Sequence, residues 1–320
     1  MFDRRFVVIG GKGGVGRTTI AAALAALLAR HGRRVLLAHV RTKQHVHRML
    51  GCNPLTDEIR EVLPNLWAVN MNPAAALRER GLMVLRFKAV YNAVMENRLV
   101  RYFLRAIPSL DEYSMLGKVW YHTTEVLADG KPRFDTVVFD GPATGHLVTM
   151  LRIPRVIVDT VPEGPLTADA RAAVELLSDP ARTVLWIVTL AEEMAVSEAA
   201  DLHRAATTDL QINPDRLVVN ALYPDTFQRD PALARALDGL DDGVDDVLDP
   251  AQAPLGELVQ QARIIRSRRE INREQLERLA QRIPLHQARI PHLFEPEIGP
   301  ESLEHIGGLL QRSLEEQPLS

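Results

Sequence analysis

The stretch GGKGGVGRTT, Gly10 to Thr19, lies between an apolar run, RFVVIG (Arg5 to Gly10), and an Ala/Leu-rich run, TTIAAALAALLARHG (Thr18 to Gly32). The first run predicts a buried parallel strand, and the second a helix that stops at basic residues and a glycine. Between them Gly11, Gly16, Arg17 and Thr18 match the phosphate-loop pattern G-x-x-x-x-G-K-[ST] at every fixed position except the lysine, where Arg17 stands. In such a loop glycines let backbone N–H groups curl around phosphate oxygens, the helix N-terminus adds partial positive charge, and the Thr18 hydroxyl is placed for Mg2+. Gly11, Lys12, Gly13, Gly14, Val15, Gly16, Arg17, Thr18 and Thr19 are therefore the expected nucleotide-binding set.

The missing lysine has a compositional context. Of 38 basic residues only five are lysines, at positions 12, 43, 88, 118 and 131, so arginine is this chain's ordinary cation. Lys12 inside the loop is an exception to that habit. A flexible ammonium and a planar guanidinium are not equivalent at a crowded phosphate.

Working outward, the runs FVVIG, RVLLAHV, LWAVNM, FDTVVFDG, TVLWIVTLA and RLVVNAL alternate with helical stretches. This pattern predicts an α/β fold with a mostly parallel sheet flanked by helices, its ligand at the carboxyl ends of the strands. Both Gly11 to Thr19 and DGPATGH (Asp140 to His146) fall there. Residues 1–320 read as a single domain with a helical insertion over 73–130 and an acidic loop over 229–250, followed by a long charged helix from Pro254 to Gln281. Within the insertion Met83, Phe87, Val90 and Val94, with Tyr91, Met95 and Leu99 alongside, form one apolar stripe. Leu110, Tyr113, Leu116, Trp120, Thr124 and Leu127 form another. Such faces suit either mutual packing or a groove for a hydrophobic client, with Met83, Phe87, Tyr91 and Trp120 as its candidate wall.

A net charge of −3 gives no electrostatic footprint for nucleic acid. The sequence contains no uncharged apolar stretch of membrane-spanning length and no signal-peptide pattern, so the expectation is a cytoplasmic protein without an integral membrane segment. The single cysteine, Cys52, can form neither an internal disulfide nor a Cys-rich metal site. His39, His45 and His47 invite a metal reading, but spacings of six and two without a nearby carboxylate fit a solvated segment better.

With its second lysine, GKGGVGRTT resembles the deviant Walker A loop of the P-loop ATPases that include MinD, ParA, the nitrogenase iron protein and ArsA. DGPATGH is similar to switch II of the ArsA branch, which contains the arsenite-pump ATPase and the targeting factor for tail-anchored membrane proteins. TLAEEMAVSEAADL (Thr189 to Leu202), LVVNALYP (Leu217 to Pro224) and IPLHQARI (Ile283 to Ile290) agree with that branch. The resemblance implies ATP or ADP with Mg2+ as ligands, Thr18 on the metal, Thr19 near the α-phosphate, and Asp140 holding the metal through water. It implies a switch at Gly141, Gly145 and His146, an adenine reader at Asn220, and a loop closing over the base at Pro284 and Leu285. It also implies a dimer, with itself or with a related ATPase, in which Lys12 acts catalytically on the partner's nucleotide.

Two departures bear on hydrolysis. Arg17 replaces the loop lysine. Where the branch has a DPAHS-like switch I after the second strand, this chain has Arg41 and Gln44, and no carboxylate lies between Leu36 and Asn53. Asp57 and Glu58 are the nearest substitutes. The expected function is thus a nucleotide-binding dimer that couples nucleotide state to a hydrophobic client or protein partner, with ATP hydrolysis weak or lost. The alternatives are a regulatory subunit beside an ATPase-competent relative and a self-sufficient ATPase.

Overall fold

A computed structural model describes residues 3–40, 46–85, 110–241 and 253–316. Its core is one eight-stranded sheet in the order β3-β4-β2-β5-β1-β6-β7-β8. The strands are β1 (Phe6–Gly10), β2 (Val35–Val40), β3 (Arg60–Leu63), β4 (Leu66–Met71), β5 (Thr136–Asp140), β6 (Thr183–Leu190), β7 (Pro214–Leu222) and β8 (Gln287–Pro291). All pairings are parallel except β3 with β4. The helices are α1 (Arg17–Arg30), α2 (Val46–Leu50), α3 (Pro73–Leu85), α4 (Leu110–Thr124), α5 (Thr144–Thr160), α6 (Pro165–Ser178), α7 (Glu193–Ala205), the single turn α8 (Thr226–Arg229), α9 (Pro231–Asp241), α10 (Ala253–Arg282) and α11 (Pro300–Glu316).

The strands read as unbroken apolar runs because both faces are covered. Val7, Ile9, Leu37, Val138, Trp186 and Val218 face a layer containing α1 and α11. Their neighbours Val8, Leu36, Phe139, Ile187 and Val219 face the other layer, with residues of α4, α5, α6, α7 and α10. Every member of each set is at most 1% exposed. From β1 the chain crosses through α1 to β2, while β5 returns between those two strands and leads through α5 and α6 to β6 on the far side of β1. That reversal opens the crevice where α/β sheets hold ligands.

All six anticipated runs are strands, but β3 and β8 are additions. β3 has four residues and an antiparallel register with a bulge, and β8 has five and interrupts the IPLHQARI stretch. Short edge strands carry too little periodicity to stand out. Part of the acidic stretch 229–250, for which a loop or a short helix was expected, is helix α9, with 242–250 outside the described residues. Leu127 departs from the α4 stripe, lying beyond the helix end and 43% exposed. No helix among the described residues is long and apolar enough to cross a membrane.

Candidate nucleotide site

Gly10 ends β1, and residues 11–16 carry the chain into α1, whose N-cap is Gly16 in the left-handed region. Two positions in this loop combine a positive φ with no room for a Cβ. At Gly11 (φ 150°) a Cβ would lie 2.1 Å from the Val188 carbonyl oxygen of β6, and at Gly16 (φ 91°) it would lie 2.2 Å from Asn220 Nδ2. The loop is thus wedged between β6 and β7 while the first turn of α1, free of acidic residues, opens the crevice. Four orphan N–H groups at a helix start make an anion site.

The side chains of that turn converge on the end of β5. Thr18 Oγ1 donates to Asp140 Oδ2 at 2.7 Å, both groups being buried. A hydroxyl lone pair beside a carboxylate is a hard-oxygen set that suits Mg2+, either directly or through water. Arg17 Nη1 donates to the Gly141 carbonyl at 2.6 Å, and the Gly141 N–H donates to Ile9 O of β1 at 3.2 Å. Burial pulls the Arg17 pKa down, and Asp140 opposes that shift. Thr19 sits over α2, its Oγ1 4.0 Å from Met49 Sδ.

His39 belongs to this cluster and corrects the solvated reading of the histidines. It is 0% exposed on β2, directly across from Asp140 in the register, and its Nδ1 is 3.0 Å from Asp140 Oδ2. The parity of the sheet explains this: Leu37 faces α1, so His39 two residues later does too. His45 lies outside the described residues. Among the described residues no group of three or more His, Cys, Asp or Glu is arranged to hold a metal ion.

Lys12 pairs within its own chain, its Nζ lying 2.8 Å from Glu198 Oε1 of α7 with both side chains about a third exposed. Such a pair is worth about 0–1 kcal/mol, so opening it costs little. Of the residues expected to form a switch, Gly145 lies in the first turn of α5, where a Cβ would meet nothing within 4 Å. His146 is exposed, its Nδ1 3.8 Å from Glu112 Oε1 on α4.

Asn220 meets the loop directly, donating from Nδ2 to Val15 O at 3.0 Å. The β7–β8 register shifts between Val219 and Leu222 just past Asn220, where Ala221 has φ 50°. Pro284 and Leu285 are not brought there. They precede β8, at its amino end, and Leu285 packs on the core with Ile283 and Leu279. The residues that leave the carboxyl end of β8 beside Asn220's strand are His292 and Phe294. His292 stacks on Tyr223 with ring centroids 5.1 Å apart, and Phe294 meets the same ring edge-on at 5.9 Å.

Between α3 and α4 of the helical insertion and the neighbouring α5 and α6 lies a solvent-open cavity of about 90 Å3, lined by Leu77, Tyr113, Trp120, Pro154 and Ala173 among others. Trp120 is half-buried, and its indole Nε1 is buried without a partner among the described residues. Lys118 anchors the insertion, with its Nζ 2.8 Å from Glu79 Oε1 and 3.2 Å from Asp57 O, while the Asp57 and Glu58 side chains stay exposed. Phe87 and Tyr91, like Arg41 and Gln44, lie outside the described residues, and Met83 is placed on α3 by its backbone alone.

The family model of the anion-transporting ATPases matches residues 4–163, from β1 through α5. The chain belongs to this family. It is 28% identical over 242 residues to the ATPase BagA of Mycobacterium tuberculosis, which covers 73% of this chain and 70% of that protein. It is 30% identical over 251 residues to the arsenical pump-driving ATPase of Acidiphilium multivorum, covering 71% of this chain but 41% of the pump ATPase. Against the ATPase GET3 of Kluyveromyces lactis the identity is 27% over 158 residues, 47% of this chain and 45% of that one. Membership of the anion-transporting ATPases supports a nucleotide-binding, ATPase-type function.

Residues of the candidate site that the sequence reading did not place there include His39, Asn272, Tyr223, His292 and Phe294. His39 was hidden because nothing local marks a strand histidine as facing a carboxylate 101 positions away. Asn272 of α10 holds two loops together, donating from Nδ2 to Ala191 O at 3.1 Å and accepting the Tyr223 N–H at 2.9 Å. Tyr223 had a usable signal: it follows Asn220 closely in the LVVNALYP stretch.

Proposed function

We propose that this anion-transporting ATPase family member binds ATP and ADP with Mg2+ at Gly11 to Thr19, works as a dimer, and couples nucleotide state to an apolar protein segment held beside Trp120, with hydrolysis weak or lost. The observation that carries the reading is the convergence of Arg17, Thr18, Asp140 and Gly141 at the start of α1. Phosphates would lie against the loop N–H groups, Thr18 and Asp140 would hold the metal between them, and Asn220 with Tyr223, His292 and Phe294 would flank the base. Bound magnesium supplies positive charge to the phosphate oxygens. Calorimetry tests the binding step. Magnesium ADP is expected to bind wild type at micromolar to millimolar concentration, with Asp140→Asn losing most of the magnesium dependence. Absence of binding of either nucleotide at millimolar concentration would sink the reading.

Dimerisation rests on Lys12, which the opening of its weak pair with Glu198 frees to reach a partner's phosphates. Light scattering with and without nucleotide, alone and with any paired relative, checks this; a monomer under every condition refutes it. For the apolar segment, the link from His146 of the switch to Glu112 of α4 supports coupling, because the same helix carries Tyr113 and Trp120. Trp120 emission and binding of an apolar dye are expected to change between the nucleotide-free and magnesium-ATP forms. Identical signals in both forms would leave the cavity as ordinary core packing.

A further inference from the structure

We infer that His39 is a positioning residue for the magnesium site: it donates from Nδ1 to Asp140 and fixes the carboxylate that Thr18 shares. The inference rests on the nucleotide reading above and adds to it a residue that the phosphate-loop pattern does not contain. Asp140 Oδ2 receives two contacts, Thr18 Oγ1 at 2.7 Å and His39 Nδ1 at 3.0 Å. A carboxylate is an acceptor only, so the hydrogen belongs on Nδ1. The other nitrogen agrees, since His39 Nε2 is buried without a hydrogen-bond partner among the described residues. An N–H there would be a buried unsatisfied donor, whereas a bare lone pair is the cheaper orphan.

The geometry gives the donation a purpose. Residues β2 and β5 place opposite one another point to the same face, so His39 approaches Asp140 laterally within the sheet while Thr18 approaches from the start of α1. Both donors hold the same oxygen, Oδ2, from two directions, and the Thr18 hydroxyl keeps its hydrogen on Asp140 while offering a lone pair outward to a cation. Ligating or near-ligating carboxylates held in this way by outer partners lose metal affinity when the partner is removed.

Two variants separate positioning from packing. The Nδ2–H of asparagine stands close to where Nδ1–H of histidine stands, so His39→Asn keeps the donor. His39→Leu fills the space and removes it. The readout is the gain in ADP affinity on adding Mg2+, measured by calorimetry. Relative to wild type, that gain is expected to fall about tenfold or more in His39→Leu and to stay within about threefold in His39→Asn, with magnesium-free ADP affinity the same in all three. An unchanged gain in His39→Leu, or an equal loss in His39→Asn, would overturn the inference.

If His39→Leu fails to fold, the ring nitrogens of wild-type His39 decide by 15N resonance. A hydrogen on Nδ1 with bare Nε2, perturbed by Asp140→Asn, is the expected signature, and the opposite tautomer refutes it. Failure of wild type to bind ADP at all would instead strike the nucleotide reading, leaving the ring spectrum to judge the His39–Asp140 bond.

Discussion

Purified chain given magnesium ATP is expected to turn over fewer than about one ATP per minute, far below the ordinary enzyme range. Phosphoryl transfer depends on positioning and charge stabilisation, and two substitutions act on that one step. The guanidinium of Arg17 is committed to the Gly141 carbonyl at 2.6 Å, which holds its charge at the end of β5 instead of on a flexible stem over the phosphates. Arg41 replaces the carboxylate expected to orient the attacking water, and arginine accepts no proton. Each change costs roughly two to three orders of magnitude, by analogy with the loss of single catalytic groups. Arg17→Lys alone is expected to alter nucleotide affinity more than turnover, and Arg17→Lys with Arg41→Asp to be the smallest change that raises turnover. Wild-type hydrolysis at or above that threshold, abolished by Asp140→Asn, would show the site to be catalytically sufficient.

Gly11→Ala is expected to be the most damaging single change in the loop. Its Cβ would meet the Val188 carbonyl oxygen at 2.1 Å, with the backbone at φ 150°. Backbone strain of about 1–3 kcal/mol and overpacking of about 1–3 kcal/mol act together, because neither the β6 carbonyl nor the loop can move without breaking the sheet. Gly13→Ala is the matched control: a Cβ there meets nothing within 4 Å, and the effect on stability should stay within about 0.5 kcal/mol. Urea midpoints of the two variants check this, and equal midpoints would mean that the loop is not wedged as described.

The central fold was legible because its strands are covered on both faces and spell out uninterrupted apolar runs such as Val7 to Ile9 and Val137 to Phe139. The phosphate loop was legible because its glycines are dictated by local backbone geometry at Gly11 and Gly16. What stayed hidden depends on pairing between distant strands. His39 acquires its place only from the β2–β5 register, and the direction of β8 decides that Pro284 and Leu285 lie at its amino end while His292 leaves its carboxyl end beside the strand of Asn220. Asn272 was masked differently, as one polar residue in a long charged helix whose exposed positions look alike in sequence.

Both borders of the sheet end growth by hydrogen bonding. β3 is four residues long, antiparallel and bulged, and β8 is a five-residue strand carrying an exposed Arg289 and closing on Pro291, which has no N–H to offer. Short, irregular, charged and proline-capped borders resist strand-to-strand stacking between molecules. Two copies of this chain would therefore not join into one continuous sixteen-stranded sheet. Any association between copies would fall to helices and loops, whose contacts can loosen and re-form without disturbing the hydrogen-bonded ladder.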